Sequence, residues 1–183
     1  MITFITGGGR SGKSLFAEDR AKRYKNKCYV ATAIAFDDEM KYRVKKHLEQ
    51  RGSDWVTIEQ YEGIAKALHV KAKDAQVVLV DCLTNLVSNM MIMNRDVDWE
   101  TLSDEAVYEI EQEILEEVNA LVLFGHEFAG EMIIVSNEVG MGLIPEYPLG
   151  RRFRDIAGRM NQHVARASDE AYLVVAGLPM KLK

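Results

Sequence analysis

Eight residues close to the N-terminus constrain this chain more than any other stretch. Gly7-Gly8-Gly9-Arg10-Ser11-Gly12-Lys13-Ser14 fits G-x-x-x-x-G-K-[ST] without a mismatch. The apolar run Ile2–Ile5, broken only by Thr3, precedes it, and the helix-permissive segment Ser14–Arg23 follows. A buried strand, a glycine turn and a helix are therefore expected in direct succession. Glycines let backbone N–H groups turn inward and approach an anion closely. The helix N-terminus adds a partial positive charge. Lys13 supplies a mobile full charge for the outer phosphates, and Ser14 a hydroxyl ligand for Mg2+. The bland alternative is a glycine turn with a chance Lys-Ser pair. Pattern and context together favour a cradle for a nucleoside triphosphate.

The remaining sequence supplies a fold for such a turn. Short apolar runs at Cys28–Thr32, Val56–Ile58, Val77–Val80, Met132–Val135 and Tyr172–Ala176 read as strands. The continuous run at Val77–Val80 suits a strand covered on both faces. Helical patterns lie between them. Asp37–Gln50 places Met40, Val44 and Leu48 four apart, with Asp37 and Asp38 as N-terminal caps. Leu102–Leu123 carries a stripe of Leu102, Ala106, Ile110, Ile114, Val118 and Leu121. Its other face holds Glu105, Glu109, Glu113, Glu116 and Glu117 and reads as solvated. Arg151–Arg166 is a further helix with a basic surface. Strands alternating with helices predict an α/β fold, a mostly parallel sheet flanked by helices. With 183 residues, 48% of them hydrophobic, residues 1–183 form one domain. Pro145 and Pro148 bracket a long loop, Gly140–Gly150, of the kind that often carries function.

Composition narrows the partners. A net charge of -5 lacks the basic footprint of a nucleic-acid binder. No apolar run approaches the roughly 20 residues of a membrane span, and no signal-like segment opens the chain. Cys28 and Cys82 lie far apart in apolar runs, as buried thiols of a reduced, cytoplasmic protein. Asp81, following Val77–Val80, is the candidate second ligand for Mg2+ beside Ser14. Taken alone, an acid at a strand end reads as a turn cap.

Four stretches carry a resemblance: Thr6–Ser14, Ala31–Arg51 with Arg43 and His47, Val80–Thr84 (VDCLT), and Ser136–Gln162 (SNEVGMGLIPEYPLGRRFRDIAGRMNQ). The ending Asp169–Lys183 adds to it. Over essentially its whole length the chain resembles the bifunctional adenosylcobinamide kinase / adenosylcobinamide-phosphate guanylyltransferase family of cobalamin assembly. The resemblance implies a phosphate-loop NTPase of RecA-like type that assembles as a homotrimer and uses ATP and GTP as substrates. It implies phosphorylation of the aminopropanol hydroxyl of adenosylcobinamide. GTP then guanylylates a histidine with release of pyrophosphate, and GMP passes to adenosylcobinamide phosphate to give adenosylcobinamide-GDP.

His47 matches the guanylylated histidine. From the residues alone, a histidine flanked by Arg43 and Arg51 on a basic helix reads first as a solvated surface residue. The same cations would nonetheless disfavour its protonation and leave a ring nitrogen free to attack phosphorus. The resemblance also implies nucleotide contacts from Ala31, Thr32 and Ala33, and from Leu48, Glu49, Gln50 and Arg51. It implies that Glu59 reads guanine, accepting from ring N1–H and the exocyclic amine together. Asn137–Arg154, with Asn137, Glu138 and Arg151, is assigned to the corrinoid site or the trimer contact, or serves as a purely structural turn. Two other readings stand beside this one. One is a simple phosphate-loop kinase of a small alcohol or nucleotide, with His47 inert. The other is a non-catalytic nucleotide-dependent regulator, against which no N-K-x-D motif occurs.

Overall fold

A computed structural model describes residues 1–34, 55–93 and 95–183 of the chain. The expected helix Asp37–Gln50 lies outside the described residues. Seven strands form one sheet: β1 (Ile2–Gly7), β2 (Lys27–Ala31), β3 (Trp55–Glu59), β4 (Val77–Asp81), β5 (Glu131–Asn137), β6 (Glu170–Val175) and β7 (Leu178–Lys181). Their order is β3-β2-β4-β5-β1-β6-β7. Every pairing is parallel except β6 with β7. The described helices are α1 (Lys13–Ala21), α2 (Ile64–Lys71), α3 (Leu83–Ile92), α4 (Asp104–Glu127) and α5 (Pro148–Ala167). This is the α/β, mostly parallel, helix-flanked sheet that the alternating runs predict. Among the described residues, no helix is long and apolar enough to cross a membrane.

The central strands are apolar at every position because both faces are covered. Ile2 and Phe4 of β1, Val78 and Val80 of β4, and Met132 and Ile134 of β5 pack with α2 to α5. The alternate residues Ile5, Val77, Leu79, Ile133 and Val135 pack on the other face against Ala17 and Ala21 of α1. A period of two buried on both sides erases the polar alternation that marks a half-exposed strand.

Several features depart from the sequence reading. Helices α2 and α3 were not anticipated. Helix α2 has Gly63 at its start with φ +66° and no side-chain cap of its own. Its first N–H groups, from Gly63 and Ile64, donate instead to Glu117 at 2.8 and 2.9 Å. Glu117 therefore belongs not to a solvated face but to a helix start, where a carboxylate is favoured by the dipole. Helix α3 is buried almost all round, so it has no polar face to reveal its period. Strand β7 contains Pro179, which an edge strand tolerates. Helix α4 starts at Asp104, with the Ser103 hydroxyl accepting from the Ala106 N–H at 3.2 Å. Helix α5 starts at Pro148, suited by its fixed φ to a first turn, so the preceding loop ends there and Gly150 is helical.

One charged group is almost fully enclosed. Glu131, at the start of β5, is 1% exposed. It accepts from the Thr3 hydroxyl at 2.8 Å, from the Tyr24 hydroxyl at 2.9 Å, and from the guanidinium groups of Arg20 and Arg23. Arg20 also reaches Glu170, which Lys181 contacts at 2.8 Å. The network ties the end of α1 to β1, β5, β6 and β7. Burial pushes the Glu131 carboxyl up, but the hydrogen bonds it accepts outweigh this and hold it below the usual range. Glu170, hydrogen-bonded by Lys181 and Arg20, is held at about 2.

Glu131→Ala leaves Arg20 without its main partner, and we expect it to lower the unfolding free energy by about 3–5 kcal/mol in denaturant titration. Both carboxyls have folded pKa values below their unfolded ones. Their contribution is complete above the ordinary carboxylate value of 4.5 and is lost as pH falls below it, for Glu170 as pH approaches about 2. Glu170→Gln should therefore flatten the acid limb of a stability-versus-pH curve across that window and leave its slope near neutrality unchanged.

Candidate functional site

In a parallel sheet all strands end on one edge, and here that edge collects the sequence-predicted residues. Gly7 ends β1, Ala31 ends β2, Glu59 ends β3 and Asp81 ends β4. Ala31 is in register with both Glu59 and Asp81, and Gly7 with Asn137. Thr32 and Ala33 follow directly after β2. His47, Leu48, Glu49, Gln50 and Arg51 lie outside the described residues, in the segment joining β2 to β3.

The phosphate loop adopts the turn that its glycines predict. Gly8, Gly9 and Arg10 are exposed, and Arg10 and Gly12 have positive φ of 61° and 94°. Ser11 N–H closes the turn onto the Gly8 carbonyl at 3.2 Å. Helix α1 then begins at Lys13 with no side-chain cap, so its first N–H groups are left for a ligand. Lys13 is 8% exposed, and its ammonium donates to the Gly8 carbonyl at 3.1 Å. Desolvation lowers its pKa, with the Asp81 carboxylate among the groups acting the other way. The hydrogen bond to Gly8 folds the ammonium back over the loop.

Asp81 accepts from the Tyr29 hydroxyl at 3.0 Å through one carboxylate oxygen. Ser14 is half-buried in the first turn of α1, and its hydroxyl has no hydrogen-bond partner among the described residues. A hydroxyl and a carboxylate are hard oxygen donors, and no group of three or more potential ligands occurs among the described residues. That donor set fits Mg2+, which takes few protein ligands and completes its shell with waters and substrate phosphates.

Sequence reasoning missed two supports of this edge. Thr32, 1% exposed, exchanges hydrogen bonds through its hydroxyl with the backbone N–H and carbonyl of Cys82, both at 2.7 Å, fixing the chain just beyond Asp81. Asn89 of α3 then donates to the Thr32 carbonyl at 2.7 Å. The turn between β6 and β7 lies on the phosphate loop itself: Gly177 N–H donates to the Ser11 carbonyl at 2.7 Å. A Cβ on Gly12 would stand 3.1 Å from the Gly177 Cα. Ala176-Gly177 after an apolar run was the available signal, a turn dipeptide at a strand end.

The matching of a whole chain, rather than of one loop, identifies its relatives. The model of the family described as cobinamide kinase / cobinamide phosphate guanyltransferase matches residues 3–182. The chain belongs to this family. It is 38% identical over 184 residues to the bifunctional adenosylcobalamin biosynthesis protein CobU of Escherichia coli (strain K12), each chain being covered completely. It is 35% identical over 187 residues to the protein of the same name from Salmonella typhimurium, again over all of both. Against the bifunctional adenosylcobalamin biosynthesis protein CobP of Pseudomonas aeruginosa it is 36% identical, over this whole chain and 98% of that protein.

Asn137 ends β5 and Glu138 follows it, with Glu138 N–H donating to the Gly7 carbonyl of the phosphate loop at 2.9 Å. The Glu138 carboxylate accepts from Gly140 N–H at 2.6 Å. Arg151 turns back onto the carbonyls of Pro145 and Glu146 at 3.1 and 2.5 Å. Between them Met141, Leu143, Ile144 and Tyr147 are exposed, an apolar apron between β5 and α5. Both thiols are buried and free, as expected from their apolar runs. Burial raises each to about 11, so neither is a nucleophile at neutral pH.

Gly12→Ala must hold a Cβ at φ 94° against the Gly177 backbone. We expect a loss of about 1–2 kcal/mol in stability together with weaker binding of a fluorescent triphosphate. Unchanged affinity would mean that the loop tolerates displacement from the Gly177 turn.

Proposed function

We propose that this chain is a bifunctional enzyme that phosphorylates the aminopropanol hydroxyl of adenosylcobinamide and then guanylylates the product. The observation that carries this reading is an intact phosphate loop, at the strand-end edge, in a chain that matches the family from end to end. In the first reaction the substrate oxygen bonds to the γ-phosphorus of ATP or GTP as the bond to the β-phosphate bridge breaks. The loop N–H groups and Lys13 hold the β- and γ-phosphates and take up charge on the leaving group. Ser14 and Asp81 would hold Mg2+, which would supply neutralisation of phosphate charge when bound.

In the second reaction a nitrogen of His47 bonds to the α-phosphorus of GTP, and pyrophosphate leaves into the same loop. A phosphate oxygen of adenosylcobinamide phosphate then bonds to that phosphorus, the P–N bond breaks, and the imidazole is regenerated. Glu59 reads the guanine. It is four strands from β1, about 19 Å at the usual strand spacing, and exposed at its strand end. An extended GTP lying along the strand ends, past Ala31, Thr32, Ala33 and Asp81, spans that distance. The segment carrying His47, with Leu48, Glu49, Gln50 and Arg51, joins β2 to β3 in sequence and supplies the nucleophile and further nucleotide contacts. The apolar apron at residues 141–147 supports a contact role for Asn137–Arg154, toward the corrinoid or a neighbouring subunit. Residues 1–183 act as one domain, in a cytoplasmic homotrimer.

Incubation with α-labelled GTP and Mg2+ tests the reading. We expect an acid-labile, alkali-stable label on the protein that is discharged by adenosylcobinamide phosphate. His47→Ala should abolish the label and retain kinase activity. Lys13→Ala should depress both reactions by about 10²-fold or more. Active protein that acquires no label would reduce the assignment to a simple kinase.

A further inference from the structure

Strand β5 lies between β1, which leads into the phosphate loop, and β4, which ends in Asp81. Its last residue, Asn137, is in register with Gly7. Its carboxamide nitrogen lies 3.9 Å from the Cys82 sulfur, one residue beyond Asp81. Asn137 is thus half-buried between the phosphate loop and the end of β4.

Three buried polar side chains fix its pose. The Thr84 hydroxyl oxygen accepts from Asn137 twice, from the backbone N–H at 3.0 Å and from Nδ2 at 2.9 Å. Asn161 of α5 donates to the Asn137 carbonyl at 3.1 Å, and Ser136 donates to Asn161 Oδ1 at 2.6 Å. Thr84, Ser136 and Asn161 are 3%, 0% and 9% exposed. Burying three polar side chains is costly unless each is satisfied, and a satisfied network defines one geometry. Here the network converges on Asn137. With Nδ2 committed to Thr84, the carboxamide Oδ1 has no hydrogen-bond partner among the described residues.

An amide oxygen accepts and cannot donate. It is therefore matched to a donor, not to a phosphate oxygen. In the kinase reaction of the proposed function, on which this inference rests, the arriving donor is the acceptor alcohol. We propose that Asn137 Oδ1 accepts a hydrogen bond from the hydroxyl that attacks the γ-phosphorus, and so sets the approach of the alcohol. The hydroxyl oxygen forms the new bond, the γ-phosphorus–bridge bond breaks, and the proton goes to solvent, since an amide takes none. Guanylyl transfer uses an imidazole nitrogen and then an ionised phosphate oxygen as nucleophiles. Neither carries a proton for Oδ1, so that half of the cycle does not need Asn137.

The test separates the two halves in Asn137→Ala and Thr84→Val. For Asn137→Ala we expect kcat for adenosylcobinamide phosphorylation to fall about 10²-fold, with KM for ATP and the acid-labile GMP label kept within about twofold. Thr84→Val keeps the acceptor oxygen but releases its restraint, and should give a smaller loss confined to the same step. It carries the test alone if Asn137→Ala fails to fold. Parallel loss of phosphorylation and labelling would make Asn137 a structural residue and overturn the proposal, as would an unchanged kcat. A wild-type protein that transfers no phosphoryl group would instead remove the underlying kinase reading.

Discussion

The placement of α1 depends on a carboxylate buried at the far end of the sheet from the phosphate loop. Glu131 gathers Arg20, Arg23, Tyr24 and Thr3 around one almost fully enclosed side chain. Removing a carboxylate from water is recovered only when its oxygens are satisfied by well-placed donors. That requirement fixes the C-terminal end of α1 against β1 and β5. The helix is nine residues long, so fixing one end largely fixes the other. At the N-terminal end, Gly177 holds the Ser11 carbonyl and Lys13 folds onto Gly8. The phosphate cradle is thus clamped from below by ions and from above by backbone, before any nucleotide contributes.

This arrangement explains why the sheet ends as it does. Strand β1 is flanked by β5 and β6, so the loop leaving β1 meets the ends of both neighbours. From β5 it receives the Glu138 N–H, and from beyond β6 the Gly177 N–H. A hairpin to β7 supplies that second contact because only a tight turn returns the chain above β6. The antiparallel strand, with Pro179 and four exposed residues, is a weak strand by composition. Its pairing with β6 and the Lys181–Glu170 contact hold it in place.

The legible parts of the sequence were those whose signal is local. The phosphate loop declares itself because each residue type serves the turn or the anion directly. The buried strands declare themselves because two covered faces leave no polar position. Helix α2 was illegible because its cap, Glu117, is 53 residues from Ile64. Helix α3 was illegible because burial removed its polar face. At the site, Asp81 and Glu59 could be placed at strand ends by counting. The clamp by Gly177 and the convergence of Thr84, Asn161 and Ser136 on Asn137 could not. Those contacts join residues brought together by the order of strands, which no window of sequence records.

A loop that binds three phosphates does not by itself choose which phosphorus reacts. On the proposed reading Lys13 and the α1 N-terminus stabilise negative charge wherever it develops on the leaving side, whether a nucleoside diphosphate departs from the γ-phosphorus or pyrophosphate from the α-phosphorus. The choice must therefore lie with the nucleophile and with what orients it. On the proposed reading a different orienting set serves each reaction. Around β5, beside the loop, a neutral amide oxygen is presented by a satisfied polar network, suited to a protonated alcohol. The segment that joins β2 to β3 in sequence carries an imidazole with arginines four residues to either side, suited to a nitrogen lone pair and an anionic α-phosphate. On the proposed reading the phosphates stay in one cradle while the nucleophile changes, so the two displacements differ in what is presented to the nucleotide rather than in how its phosphates are held.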